Sequence, residues 1–154
     1  GCSRATVHNH FPHALPGIFE ALAAETVETA VRRYRIDSNK YSGLDKPRRF
    51  IGLTADEFHK AGELAVAMVR ASVDQTMNSA WPWGIGYQTT IDCYDEAAED
   101  DDLPGASVDL AEVTHVHFYG SLYLWALGRL DDDRFLQSAK SSVDLAINAL
   151  QVSR

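Results

Sequence analysis

The stretch from Asp109 to Leu130 most constrains what this chain can fold into. It reads as one long, mostly apolar helix containing Val113, Val116, Phe118, Leu122, Leu124, Trp125 and Leu127. These side chains circle most of the helical perimeter, so the helix has to be covered on more than one side. Gly128 lies near its end, and Asp131–Asp133 suit both the start and the cap of a following helix. That final helix, Arg134 to Leu150, carries Phe135, Leu136, Ala139, Val143, Ala146, Ile147 and Leu150, with Ser138, Ser141 and Ser142 small enough for another helix to approach closely.

The rest of the chain repeats the helical period. Leu15 to Arg35 predicts a helix with Pro16 in its first turn and Ile18, Leu22, Val27 and Val31 along one stripe. Arg32, Arg33 and Arg35 stand at its C-terminal end, where the helix dipole favours cations. Residues 36–47 read as a loop. Thr54 with Glu57 three residues on forms a capping-box pattern, which predicts a helix running on through Phe58, Leu64, Val66, Met68, Val69 and Val73. The segment 78–86 breaks it with Pro82, Gly84 and Gly86, a shorter helix spans Tyr87 to Ala98, and an acidic loop follows. No strand pattern, internal repeat or low-complexity tract occurs. The fold class is all-α.

Composition bounds the function classes. A chain of 154 residues is long enough for one domain and not comfortably for two, and 45% hydrophobic with 23% charged residues excludes a disordered chain. No apolar run approaches the roughly 20 residues needed to span a bilayer. The first residues carry neither a signal core nor a transit pattern, and Cys2 and Cys93 make no disulfide framework, which predicts a reduced, cytoplasmic protein without membrane partners. Charge is uneven. Eight Lys/Arg against five Asp/Glu give residues 1–50 a net of +3, and the total of −8 leaves −11 for residues 51–154. Such a balance excludes wholesale coating of nucleic acid while permitting a small basic end to touch phosphates.

The opening residues GCSRATVHNHFP hold the strongest local motif. Gly1 suits a turn and Ser3 a helix N-cap, and Val7 and Phe11, four apart, face inward from a short helix. This is the shape of a recognition helix whose N-terminal residues reach base edges in the major groove. The stretch resembles the TetR family of bacterial transcriptional repressors, whose recognition helix reads Gly-x-Ser-x-x-Thr/Leu-Tyr-x-His-Phe. The resemblance covers the opening dozen residues closely and the remainder in layout only.

The resemblance implies a remnant of a helix-turn-helix domain with its connecting helix over residues 1–35, and a helical ligand-binding and dimerisation domain over 36–154. It assigns DNA contact to Ser3, Arg4, Ala5, Thr6, His8, Asn9 and His10, with His8 where a tyrosine is usual, so that this phosphate contact becomes pH-dependent. Ala14 stands where a lysine is common, which removes one phosphate contact. The family's three-helix DNA-binding unit needs two helices ahead of Gly1, so the chain as given is expected to dimerise and bind ligand but to bind DNA poorly. The last two helices are expected to form a dimeric four-helix bundle through Leu124, Leu127, Phe135, Ala139, Val143 and Ile147. The expected partners are palindromic operator DNA, a second copy of the chain and a small hydrophobic or aromatic inducer.

The inducer site is expected among the aromatic residues and their neighbours: Phe58, Trp81, Trp83, Tyr87, His115, Phe118, Tyr119, Leu122 and Trp125. Other chemistry is weak. His115 and His117, two apart, cannot share a helix face, and no matching Cys or carboxylate spacing accompanies His10 and His13, so neither a metal nor another cofactor is expected. The chain has no Gly-rich phosphate loop, no Gly-x-Ser-x-Gly elbow and no His-Glu-x-x-His, so it is not read as an enzyme. Cys93 reads as a small buried hydrophobe, and the acidic run Glu99–Asp102 as a solvated loop. The competing reading is a helical small-molecule-binding protein or enzyme without DNA binding; a third is a dimerisation module without ligand.

Overall fold

A computed structural model describes residues 14–74 and 84–152, and these form six α-helices, one 3-10 turn and no strand. In chain order they are α1 (Ala14–Asp37), the 3-10 turn Ser38–Lys40, α2 (Asp45–Ala61), α3 (Glu63–Asp74), α4 (Ile85–Ala97), α5 (Ser107–Ala126) and α6 (Asp132–Gln151). The all-α class follows from the sequence periodicity. Among the described residues no helix is long and apolar enough to cross a membrane.

Helix α1 buries Ala23, Val27, Ala30, Val31 and Tyr34, a set spaced at one helical face, while Ile18 is half exposed. The same core takes in Phe50, Phe58, Met68, Tyr94, Phe118 and Phe135. Packing therefore does not divide at Arg35. Where α1 crosses α4, Gly86 removes the side chain that would obstruct the approach: a Cβ there would lie 2.8 Å from Val27 Cγ1. Arg33 pairs with Glu57 and ties α1 to α2.

The region 36–61 differs from the sequence expectation. Helix α2 begins at Asp45 inside the expected loop, with Pro47 in its first turn, where a missing N–H costs nothing. Thr54 is therefore no N-cap. It is buried in mid-helix and its Oγ1 donates to the Phe50 carbonyl at 3.0 Å, while Glu57 turns to Arg33 and Lys60. The expected continuous helix breaks at Gly62, whose φ of 54° ends α2 before α3 starts. The acidic loop is also more than a solvated surface. Asp100 Oδ2 accepts from the Gly43 N–H at 3.0 Å and Asp101 Oδ2 from the Leu44 N–H at 2.9 Å, so two carboxylates satisfy donors at the start of α2.

Helices α5 and α6 are joined by the expected turn. Gly128 has φ 71°, its N–H reaches the Trp125 carbonyl, and the Arg129 N–H reaches the Leu124 carbonyl, both at 2.8 Å. This is a Schellman ending that needs a residue without Cβ strain at Gly128. Asp131 then caps α6 by accepting from the Arg134 N–H at 2.8 Å.

Candidate functional site

Helix α5 presents two different faces, and each holds a group of residues with a chemical use. The inner face buries Leu110, Ala111, Thr114, His115, Phe118, Leu122 and Trp125 against the other helices. Here the aromatic residues form a continuous string. Tyr87 meets His115 edge-on with centroids 5.3 Å apart, His115 meets Tyr119 at 5.4 Å, and Tyr119 meets Phe118 at 5.3 Å. Phe118 touches Phe58 and Phe135 at 6.3 and 6.4 Å, and Phe135 stacks on Trp125 at 4.9 Å.

Polar groups punctuate this string. His115 Nε2 lies 2.8 Å from Thr90 Oγ1, and that hydroxyl also donates to the Gly86 carbonyl at 2.9 Å. A hydroxyl has one proton, so the arrangement that satisfies both contacts has Nε2–H donating to Thr90 and leaves Nδ1 as the acceptor. Burial pushes the His115 pKa down to about 4, which keeps the imidazole neutral. Tyr94 Oη and Thr114 Oγ1 share a second buried hydrogen bond at 2.7 Å. Burial raises the Tyr94 phenol to about 12 and raises that of Tyr119 as well. The string is thus packed apolar core punctuated by neutral hydrogen-bonding groups.

Of the residues expected to line an inducer site, Phe58, His115, Phe118, Leu122 and Trp125 are buried in the core, and Tyr87 and Tyr119 are its half-buried edge. Trp81 and Trp83 lie outside the described residues. Trp125 sits apart from Tyr87, at the far end of the string, where its Nε1–H donates to Asp132 Oδ1 at 2.8 Å. His59 Nε2 approaches the other Asp132 oxygen at 3.2 Å, and the Trp125 and His59 contacts hold that carboxyl below its ordinary range. Thr90, Tyr94 and Thr114 were not anticipated. Their partners are 20 or 25 residues away, and no local pattern signals such pairs.

The outer face of α5 is apolar and uncovered. Val116 is 62% exposed, Leu124 44% and Leu127 43%, with Gly120 exposed between them and Val113 and Tyr123 half-buried alongside. Beside it, α6 exposes Leu145, and Ser138 joins the two helices by hydrogen bonds to Ser121 at 2.7 Å and to His117 Nε2 at 3.1 Å. This differs from the expected dimer set. Leu124 and Leu127 do face outward, but Phe135, Ala139 and Val143 are fully buried inside the chain and Ile147 is half-buried on the core side. A side chain with no exposed area has none to bury against a partner. The stripe of α6 with more apolar residues is the one that packs inward.

Among the described residues, grooves lie away from the Tyr87 end of the string, one of them at its Trp125 end. One of about 830 Å³ runs between α2 and α6 past Arg48, Gly52, Leu136, Lys140 and Asp144, and one of about 550 Å³ lies beside His59, Arg70, Trp125 and Asp132. Arg48 bonds Asp144 at 2.6 Å, Arg49 reaches Asp37 at 3.4 Å and Lys46 reaches Glu96 at 2.8 Å. Much of the basic excess of residues 1–50 is thereby tied to acidic groups of the same chain. Cys93 is buried, and desolvation pushes its thiol up to about 12. Among the described residues no group of three or more His, Cys, Asp or Glu side chains could hold a metal ion. The expected DNA-contacting residues Ser3, Arg4, Ala5, Thr6, His8, Asn9 and His10 lie outside the described residues.

Comparison of the chain with protein-family models, with curated proteins and with solved structures finds no match.

Proposed function

We propose that the chain is a cytoplasmic, ligand-responsive transcriptional regulator similar to the TetR family. It acts without enzymatic activity, as a homodimer on palindromic operator DNA, and a small hydrophobic or aromatic inducer releases it. The observation that supports this reading is the two-sidedness of α5. Its inner face carries His115, Phe118 and Tyr119, which continue the string from Tyr87 of α4, and its outer face leaves Val116, Leu124 and Leu127 exposed. A helix that lines a ligand site on one side and meets a second copy on the other has to be apolar nearly all round. The opening motif adds the DNA-binding end.

The ligand is reached from Tyr87 and Tyr119, the half-buried members of the string. Tyr87 and Thr90 belong to α4, and Thr90 is bonded to the Gly86 carbonyl one turn away, at the point where α4 crosses α1 at Val27. A ligand that displaces His115 from Thr90 acts one helical turn from the helix that leads to the DNA-binding end. Two sites biasing one movable element is what regulation by a ligand requires.

A mobility-shift assay on duplex DNA selected from a random pool tests this reading against a panel of aromatic compounds. Compounds that quench the tryptophan fluorescence are expected to release the DNA, and Thr90→Ala to weaken that release at unchanged DNA affinity. Compound binding that leaves DNA binding untouched points instead to a helical small-molecule-binding protein.

A further inference from the structure

We propose that Gly120 marks the point at which α5 crosses the α5 of a second copy, the two helices running antiparallel about a two-fold axis. This rests on the homodimer reading above and adds which residues meet. A glycine inside a helix is destabilising relative to alanine, so its presence in the interior of α5 needs a reason. Backbone conformation supplies none, because Gly120 is not among the glycines with positive φ. Packing among the described residues supplies none either: a Cβ on Gly120 would have none of them within 4 Å. The space matters to something outside the chain, and close approach of a second backbone uses it.

The pattern around Gly120 selects that second backbone as another copy. A two-fold axis at Gly120 sets residues equally far before and after it against each other, which brings Val116 of one copy to Leu124 of the other and Val113 to Leu127. These are the exposed and half-buried apolar residues of the face. One step further out, Glu112 of one copy meets the Gly128–Arg129 end of the other, and both Glu112 and Arg129 are exposed. At roughly 1.5 Å rise per residue Glu112 lies about 12 Å from the axis, opposite the turn at Gly128 that ends α5 and carries Arg129. The face is self-complementary: apolar in the middle, a carboxylate at one end and a guanidinium at the other. A parallel pairing would set Glu112 against Glu112.

Sedimentation velocity of the 154-residue protein over a concentration series, with thermal melts alongside, tests the proposal. The wild type is expected to sediment as a dimer. Gly120→Leu is expected to weaken dimerisation at least tenfold without lowering the melting temperature. Glu112→Arg is expected to weaken it several-fold, and Glu112→Arg with Arg129→Glu to return it to near the wild-type value. A dimer as tight in Gly120→Leu as in the wild type overturns the crossing point and leaves the homodimer reading standing. A wild type that is monomeric throughout overturns both. Should Gly120→Leu melt lower, the charge pair decides: recovery in the double variant upholds the register, and its absence overturns it.

Discussion

The Thr90 hydroxyl stands 2.8 Å from His115 Nε2, between a helix that touches α1 and a helix with an uncovered outer face. One proton on the threonine oxygen fixes the tautomer of the imidazole, and desolvation keeps that imidazole uncharged. The pair therefore links the polarity of the aromatic string to the position of α4.

His115 makes the fold acid-sensitive. Its pKa falls from an ordinary 6.5 to about 4 on folding. Above the unfolded value both states are neutral and the group contributes no pH dependence. As pH falls from 6.5 towards 4, the unfolded chain takes up a proton that the folded chain refuses, so stability is lost across that window, by roughly 3 kcal/mol at its lower end. Urea unfolding at pH 7 and pH 4.5 is expected to show this loss in the wild type and a smaller one in His115→Gln. Equal losses in both proteins would remove the role given to the imidazole.

The crossing of α1 and α4 depends on the absent side chain of Gly86. Gly86→Ala sets a Cβ 2.8 Å from Val27 Cγ1 and is expected to cost about 1–3 kcal/mol despite alanine's better helix propensity. In a Val27→Ala background the obstruction is gone, and the same substitution is expected to be neutral or stabilising. A double-mutant cycle by chemical denaturation reads the sign change directly.

Exposure separates the residues that hold the monomer from those that meet a partner. Val143 is fully buried and Leu124 is 44% exposed. Val143→Ala is expected to lower stability by about 1–2 kcal/mol through the cavity it leaves, with the association constant little changed. Leu124→Ser is expected to do the reverse. Melting temperature and sedimentation of the two variants, measured side by side, show whether the effects separate.

Cys93 is shielded from reagents. Its burial and raised pKa leave almost no thiolate at pH 8. Peptide mapping after iodoacetamide treatment is expected to find Cys93 unmodified in the folded protein and fully modified in denaturant. Rapid labelling of Cys93 without denaturant would mean that α4 opens readily.

Helix class, the Gly128 ending and the Asp131 cap were all legible in the sequence, because each is written in residues within one turn of one another. The aromatic string was partly legible. Phe118 and Tyr119 are neighbours in α5, but Thr90 and Tyr94 enter through contacts between helices that no local spacing records. Two errors have physical causes. Pro47 reads as a loop residue, yet it opens α2, because proline suits a first turn as well as it suits a turn. Phe135, Ala139 and Val143 look like an interface stripe, yet a stripe shows only that a face is buried and not what buries it. The exposed line through Val116, Gly120 and Leu124 is also periodic, and a wheel of α5 that counted its glycine would have drawn it.

The central claim, a ligand-responsive dimeric DNA regulator, is tested most directly by selecting duplexes from a random pool with the protein and titrating the selected DNA with salt. Enrichment of an inverted repeat with half-sites one helical turn apart is predicted, with affinity falling by orders of magnitude between about 50 and about 200 mM salt. A pool no different from its input, with no salt-dependent binding, would contradict the account.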